Sequence, residues 1–345
     1  MAIVRMADDG IAFDGDTLSR GPLGGAETAF VSLAEALAAR GHQVTIYNKC
    51  ETPMTRNGVS WEPLENALPD SADLYIANRG DRLIQLVPQA RSRVFWIHNP
   101  AQYLNKWRYW RKLRRWRPIV VFSSDFHART MAGWMPAGGR QTIPYGISEV
   151  FLKVTPPEDP PPPCVAFTSS PLRSLDWLLD LWCAGIRPKV PHAQLHVFSS
   201  PKTYGAHGDA RLGAMNAVLE RAAGMVDQGV VIRDPLPKAE LAEALAGFRA
   251  MLYRGDPGET YCLAVGEAQA VGIPAVVQDI GCVAERVVEG ETGFVAIDDM
   301  DFVRRGCDIL TDDELWRRLQ KKTLERQRLW TWGDAAADFE KLIPE

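Results

Sequence analysis

The sequence predicts an α/β protein built as two open, doubly wound parallel sheets, each in its own domain. Three observations predict it. Short β-rich apolar runs alternate with helical patterns along the whole chain. The alternation breaks once, at residues 153–163 (KVTPPEDPPPP), where six of the last eight residues are proline, and then restarts. The length, 345 residues, is too great for one ordinary core and suits two. Proline at that density fits neither a helix nor a central strand, so the stretch reads as a stiff linker.

In chain order, residues 3–6 form the first strand. A long loop leads to a helix over residues 26–40, on which Phe30, Leu33, Ala34 and Leu37 make one apolar stripe. Gly41 is its natural stop. Strands follow at residues 43–47, 74–77, 94–97 and 119–122, the last leading to a helix capped by Ser123 or Ser124. Beyond the linker, strands fit residues 165–168, 195–198, 230–232, 250–253 and 275–277, with helices between them. The domains are then 1–152 and 164–330, with a closing segment at 331–345. Sheets of this kind bind ligands beyond the carboxyl ends of their strands, so a cleft between the two is the expected site.

Composition narrows the class. Hydrophobic residues make up 46% and charged residues 24%, as in a globular chain. MAIVRMADDG lacks the basic start and apolar run of a signal peptide, and no apolar stretch is long enough for a bilayer. The six cysteines (Cys50, Cys164, Cys183, Cys262, Cys282, Cys307) are scattered without a Cys-x-x-Cys pair. That argues against a zinc site or a disulfide framework and fits a reducing cytoplasm. A net charge of -4 disfavours a general nucleic-acid binder. The charge is uneven, because KWRYWRKLRRWR, from Lys106 to Arg117, holds seven basic residues and no acid.

Two constellations carry chemistry. GPLGGAE, residues 21–27, lies between the first strand and the first long helix. Gly24 and Gly25 allow close backbone approach, and a helix N-terminus offers N–H groups to an anion. The alternative is a tight turn with Glu27 favouring the helix dipole. The Gly-x-Gly-x-x-Gly dinucleotide spacing is absent. GETYCLAVGEAQAVGIP, residues 258–274, carries Glu259 and Glu267. If helical throughout, it would hold them roughly 12 Å apart along the axis. Ionised carboxylates accept paired hydrogen bonds, a match for vicinal sugar hydroxyls. The alternative is two solvated helix glutamates.

The second segment, extended through residue 296, resembles the donor-site signature of retaining GT-B glycosyltransferases of family four. That pattern runs Glu-x-Phe-Gly-Leu, an Ala-rich helix with the second Glu, Gly-x-Pro-Val-Val, a further Glu (here Glu285) and a Gly-x-Thr-Gly turn (residues 290–293). LGGAETAFVSLAEALAARGHQVTIY is similar to the family's first glycine loop and helix. WIHNP, VFSSDFHARTM and TIPYGISEVF resemble its later N-terminal segments, and Trp332 with the following helix resembles the closing helix that crosses back to the first domain. The resemblance implies two Rossmann-like domains facing a central cleft, the first on the acceptor side and the second binding a nucleotide sugar.

It also implies roles. Glu259 would accept hydrogen bonds from sugar hydroxyls, and Glu267 would hold the ribose. Backbone N–H groups of Tyr261, Cys262 and Leu263 would meet sugar or phosphate oxygens. Gly24 and Gly25 would line the diphosphate, and His98 would touch the sugar; the alternative for His98 is a satisfied core histidine. The family places an Arg near Thr168 and a Lys at Arg173, both on the diphosphate. Here one cation is missing. Ser169 and Ser170 can supply hydroxyls, Arg173 can fork onto phosphate oxygens, and Arg254 and Lys202 are candidate substitutes. Cys262 stands where the family has Gly.

No Asp-x-Asp motif sits at the diphosphate; Asp14 and Asp16 in FDGDT lie in the first loop, so neither metal nor other cofactor is expected. Trp177 and Trp182 read as core. The implied reaction is metal-independent transfer of a hexose from a UDP- or GDP-sugar, with retention, to a glycan, lipid-linked or small-molecule acceptor. His98, Arg173 and Glu259 form the catalytic set. The acceptor hydroxyl attacks on the leaving group's face, and the departing phosphate takes its proton. Rivals are a hydrolysing nucleotide-sugar epimerase of the same fold and a non-catalytic nucleotide-sugar binding module. The run from Lys106 to Arg117 reads either as a helix resting on an anionic membrane, which would place the chain at its cytoplasmic face, or as a structural helix with inward tryptophans.

Overall fold

The computed structural model of the chain describes residues 1–21, 23–201 and 211–344. Pro22 of the glycine loop, Lys202 of the candidate cations and Glu345 of the closing segment lie outside the described residues. The chain divides into two compact units, Met1–Gly146 with Trp330–Glu345, and Ile147–Leu329. No helix among the described residues is long and apolar enough to cross a membrane.

The first unit is an eight-stranded sheet in the order β3-β4-β2-β1-β5-β6-β7-β8. Its strands are β1 (Ile3–Asp8), β2 (Gln43–Asn48), β3 (Met54–Arg56), β4 (Val59–Pro63), β5 (Ser71–Asn78), β6 (Gln89–Trp96), β7 (Ile119–Phe122) and β8 (Gly139–Thr142). Neighbours pair parallel except β3 with β4. The sheet is therefore mixed, not wholly parallel as the sequence predicts. The cause is local. Asn57 and Gly58 both have positive φ (47° and 76°), as a two-residue hairpin turn requires.

The helix Gly25–Ala39 buries Ala29, Phe30, Val31, Leu33, Ala34 and Leu37, the predicted stripe with Ala29 and Val31 added. Each such large side chain contributes about 2 kcal/mol on burial. The helix Trp332–Glu340 packs on it, opened by a Thr331–Asp334 capping box. Trp332 stacks on Tyr145 at 6.0 Å, and Phe339 meets Trp96 edge-on at 5.2 Å. The register sets Asp8 beside Asn78 and Asn78 beside Trp96, so polar residues gather at the carboxyl edge of the sheet.

The second unit is a wholly parallel six-stranded sheet in the order β11-β10-β9-β12-β13-β14. Its strands are β9 (Cys164–Phe167), β10 (Gln194–Phe198), β11 (Val230–Arg233), β12 (Ala250–Leu252), β13 (Ala275–Gln278) and β14 (Gly293–Ala296). β14 is an addition to the predicted set. The proline-rich stretch packs on this unit. Gln320 donates to the Pro157 carbonyl at 2.7 Å, and Arg249 to that of Pro161 at 3.4 Å. The short helix Glu149–Leu152 packs against the helices Lys238–Leu245 and Leu263–Ala270. The change of unit thus falls after Gly146, ahead of the prolines.

Candidate active site

Three segments of the second unit meet at the carboxyl edge of its sheet. These are the loop after β9, the segment after β12 and the helix Leu263–Ala270. In the first, Ser174 takes a left-handed conformation (φ 59°) and its hydroxyl donates to the Gly255 carbonyl at 3.0 Å. That tie anchors the loop carrying Arg173, whose guanidinium lies 2.5 Å from Glu259 Oε1. Tyr253, one residue past β12, donates its hydroxyl to Glu259 Oε2 at 2.8 Å. Ser169 Oγ is 3.5 Å from the same hydroxyl. Ser170 is buried, and its carbonyl accepts the Arg173 N–H at 2.9 Å.

Glu259 is only 5% exposed, so its carboxylate is oriented and largely dry. Its segment is braced from the loop after β13. A Cβ on Gly281 (φ 67°) would sit 2.3 Å from the Asp256 carbonyl and 3.0 Å from that of Glu259, so this close approach requires glycine. The Cys282 N–H donates to the Glu259 carbonyl at 3.2 Å. Burial pushes the Glu259 carboxyl above its usual range, with Arg173 and Tyr253 opposing. Burial also works against the Arg173 charge, but the adjacent Glu259 overcomes it and the guanidinium holds its proton more tightly than usual.

Cys262 caps the helix at φ 61°, a conformation that costs a non-glycine residue about 1 kcal/mol or more. Its thiol is buried, and burial pushes its pKa well above the usual value, with the Glu259 charge adding. Leu263 opens the helix, whose first N–H groups have no acceptor within it. Tyr261 is buried under Arg286, which donates to its hydroxyl at 2.8 Å and stands 4.5 Å from its ring centre. On the same helix Glu267 is 4% exposed, and Lys238 Nζ meets its two oxygens at 2.6 and 2.8 Å.

The alternative of two solvated helix glutamates does not hold. Both are buried, and Glu259 precedes the helix, so the helical spacing between them does not apply. Arg254 is engaged elsewhere, donating to Gln278 at 3.0 Å and stacking on Trp177 at 4.8 Å. Trp182 is fully buried core. Lys238 and Tyr253, the partners of Glu267 and Glu259, were not singled out from the sequence. Tyr253 carries a weak signal, a hydroxyl-bearing aromatic at a strand end, and Lys238 carries none.

The first unit has its own polar cluster. Gly24 precedes and Gly25 opens the long helix, and the Glu27 carboxylate lies against Gly24, 2.4 Å from where a Cβ would be. Arg79, left-handed at φ 62°, donates to Glu27 at 2.7 Å and to Asp8 at 2.8 Å. Asn78 donates to Asp8 at 2.5 Å. Because the carboxylate can only accept, Asn78 presents its carbonyl to His98 Nε2, 2.5 Å away. Nε2 then carries the proton, and Nδ1 accepts from the Tyr145 hydroxyl. Burial, with the Arg79 charge adding, holds His98 well below its usual pKa, so the ring is neutral. Both ring nitrogens are satisfied inside the unit, the arrangement of a satisfied core histidine.

Elsewhere in this unit, Ser124 provides the predicted cap, accepting the His127 N–H at 3.0 Å. Asp14 and Asp16 are held by Thr17 and Arg20 within their loop.

Comparisons with known proteins give two family matches. A model described as "Glycosyl transferase 4-like domain" matches residues 24–203, and one described as "Glycosyl transferases group 1" matches residues 164–312. D-inositol 3-phosphate glycosyltransferase from Corynebacterium efficiens is 32% identical over 125 residues, covering 35% of this chain and 28% of that protein. Its counterpart from Stackebrandtia nassauensis is 31% identical over 154 residues, covering 44% and 33%. The match thus spans about a third of the length of these curated relatives.

Among solved structures, Anabaena HepE in complex with UDP-glucose matches with a TM-score of 0.74 at 12% identity, over 99% of each chain. Sucrose-phosphate synthase from Thermosynechococcus elongatus matches with 0.71 at 17%, over 98% of this chain and 97% of that one. These likenesses concern the fold. With one family model matching just over half of the chain and a second matching most of the second unit, the chain belongs to the group 1 glycosyltransferases and has their GT-B fold.

Proposed function

We propose that the chain transfers a hexose from a UDP- or GDP-sugar to a glycan, lipid-linked or small-molecule acceptor, with retention and without a metal. The observation that carries this reading is the buried Glu259 held between Arg173 and Tyr253, one turn ahead of a helix bearing a second buried carboxylate. HepE, of like fold, is solved with UDP-glucose, which supports a nucleotide-sugar donor.

Arg173 holds Glu259 in place before the donor arrives. When the diphosphate binds, the guanidinium forks onto its oxygens and offsets the negative charge that grows as the bond to the sugar breaks. Glu259, released on one side, accepts from sugar hydroxyls. The acceptor oxygen attacks from the leaving group's face, and the phosphate takes its proton. The N–H groups at the start of the helix Leu263–Ala270, with that of Cys262 before it, would meet sugar or phosphate oxygens. His98 reaches the sugar only by exchanging Tyr145 or Asn78 for a hydroxyl.

The test separates the two carboxylates. Glu259→Ala should lower transfer about 100-fold or more while UDP or GDP still binds. Glu267→Ala should weaken the nucleotide about tenfold. Wild-type transfer by Glu259→Ala, or unchanged nucleotide affinity in Glu267→Ala, contradicts the assignment. Donor turnover that needs no acceptor would point to the epimerase instead.

We propose further that the acceptor is met at an anionic membrane surface. In the helix Trp107–Trp116, Tyr109 and Leu113 turn into the core, whereas Trp107 is 66% exposed and stacks on Trp110 at 4.8 Å. Arg111, Arg114 and Arg115 are exposed on the same helix, Arg114 over the Trp110 ring at 5.6 Å. This is an apolar edge with a basic rim. Liposome flotation should show more binding to anionic than to neutral vesicles, and equal binding ends the idea.

A further inference from the structure

We propose that Lys238 reads the sugar of the donor nucleotide, making the site selective for an intact ribose diol over deoxyribose. The inference rests on the reading that Glu267 holds the ribose hydroxyls.

Lys238 opens the helix Lys238–Leu245, a few residues after β11 ends at Arg233. Its Nζ meets both oxygens of Glu267, at 2.6 and 2.8 Å. The same nitrogen lies over the Phe151 ring, 5.7 Å from its centre, a cation–π contact that takes no hydrogen-bond acceptor. An ammonium has three donors, so two are spent on Glu267 and one is left. Among the described residues Nζ has no further hydrogen-bond partner. A carboxylate has about four acceptor sites, so Glu267 keeps two for a ligand.

One remaining donor beside two remaining acceptors is the complement of a vicinal diol. Each hydroxyl donates to Glu267, and one of the two oxygens accepts from Lys238. A counter-ion that merely neutralised a buried carboxylate would add nothing to recognition beyond keeping Glu267 charged. Lys238 instead supplies a charged hydrogen bond that exists only when the hydroxyl does. Losing that hydroxyl therefore removes two charge-assisted bonds rather than one, each worth about tenfold in affinity.

The experiment measures binding of UDP and GDP and of their 2′-deoxy and 3′-deoxy analogues by calorimetry. In the wild type, at least one deoxy analogue of the better-bound nucleotide should bind about 100-fold more weakly than its parent. In Lys238→Met that penalty should shrink to about tenfold, because only the bond to Glu267 remains. Should Lys238→Met fail to fold around an unpaired Glu267, Lys238→Gln takes its place. The Gln amide can spend both N–H groups on the carboxylate and has none left for ribose, so the same shrinkage is expected. An undiminished penalty in the folded variant, or no penalty in the wild type, overturns the proposal. Glu267→Ala with unchanged ribonucleotide affinity would instead bring down the ribose reading beneath it, and the role of Lys238 with it.

Discussion

The two polar clusters use buried charge differently. In the first unit Arg79 sits between Asp8 and Glu27, and Asp8 reaches through Asn78 and His98 to Tyr145. Its members satisfy one another, and His98 has no ring nitrogen to spare. In the second unit each buried carboxylate has one cation, Arg173 on Glu259 and Lys238 on Glu267. Those pairs leave acceptor capacity unused. A network closed on itself acts as a brace, whereas a carboxylate paired with one cation keeps acceptor sites that a ligand could take. The comparison explains why the donor chemistry is assigned to the second unit.

The sharpest way to break that contrast is to delete one carboxylate from each cluster. Asp8 is fully buried, so Asp8→Ala should lower stability by about 4 kcal/mol in urea unfolding, as for other broken buried pairs. Glu259→Gln keeps the side chain's shape and a partner for Tyr253, so it should remove transfer while lowering the urea midpoint less than Asp8→Ala does. A reversal of those two outcomes would mean that the brace and the site had been exchanged.

Acid sharpens it further. Burial lowers the pKa of His127 in the first unit to about 4, and His98 moves the same way. Both folded pKa values lie below the unfolded value, so their stabilisation is complete above about pH 6.5 and is lost on acidification, for His127 as pH falls through 4. For His127 alone the loss is about 3 kcal/mol. Urea midpoints at pH 7 and pH 4.5 should differ less in His127→Gln than in the wild type. An identical acid loss in the variant would take the histidines out of the account.

The smallest effect concerns the closing helix. Glu340 accepts from Arg40 and lies 2.7 Å from His42, and Arg40, ahead of His42, lowers its pKa to about 2. This contribution is present above about pH 4.5 and lost as pH falls through 2. The pair is solvent-accessible, so Glu340→Gln should cost only about 1 kcal/mol at pH 7. A much larger loss would make this surface clasp as important as the buried network.

Much of the architecture was legible because strands and helices write their periods into the chain. The strand Cys164–Phe167 and the stripe on the helix Gly25–Ala39 are of that kind. β3 and β4 were missed although their turn was signalled, since Asn57–Gly58 between short runs is a hairpin pattern. The site was legible in part. Glu259 and Glu267 stand out by motif, but their burial does not, because it depends on loops contributed from distant positions. Gly281 pressed on Asp256 is one such contribution, and the Ser174 tie to Gly255 is another.

The order of residues alone determined two alternating strand–helix halves, the glycine loop before a helix, and a pair of glutamates in a recognisable frame. These follow from local periodicity and spacing, which the chain carries at every point. Only the tertiary structure decided which cation each glutamate meets, that His98 is satisfied by Tyr145 and Asn78, and that the prolines rest on the second unit. Partners such as Lys238 and Glu267 are brought together by the packing of two helices, and no short-range pattern encodes a meeting of that kind.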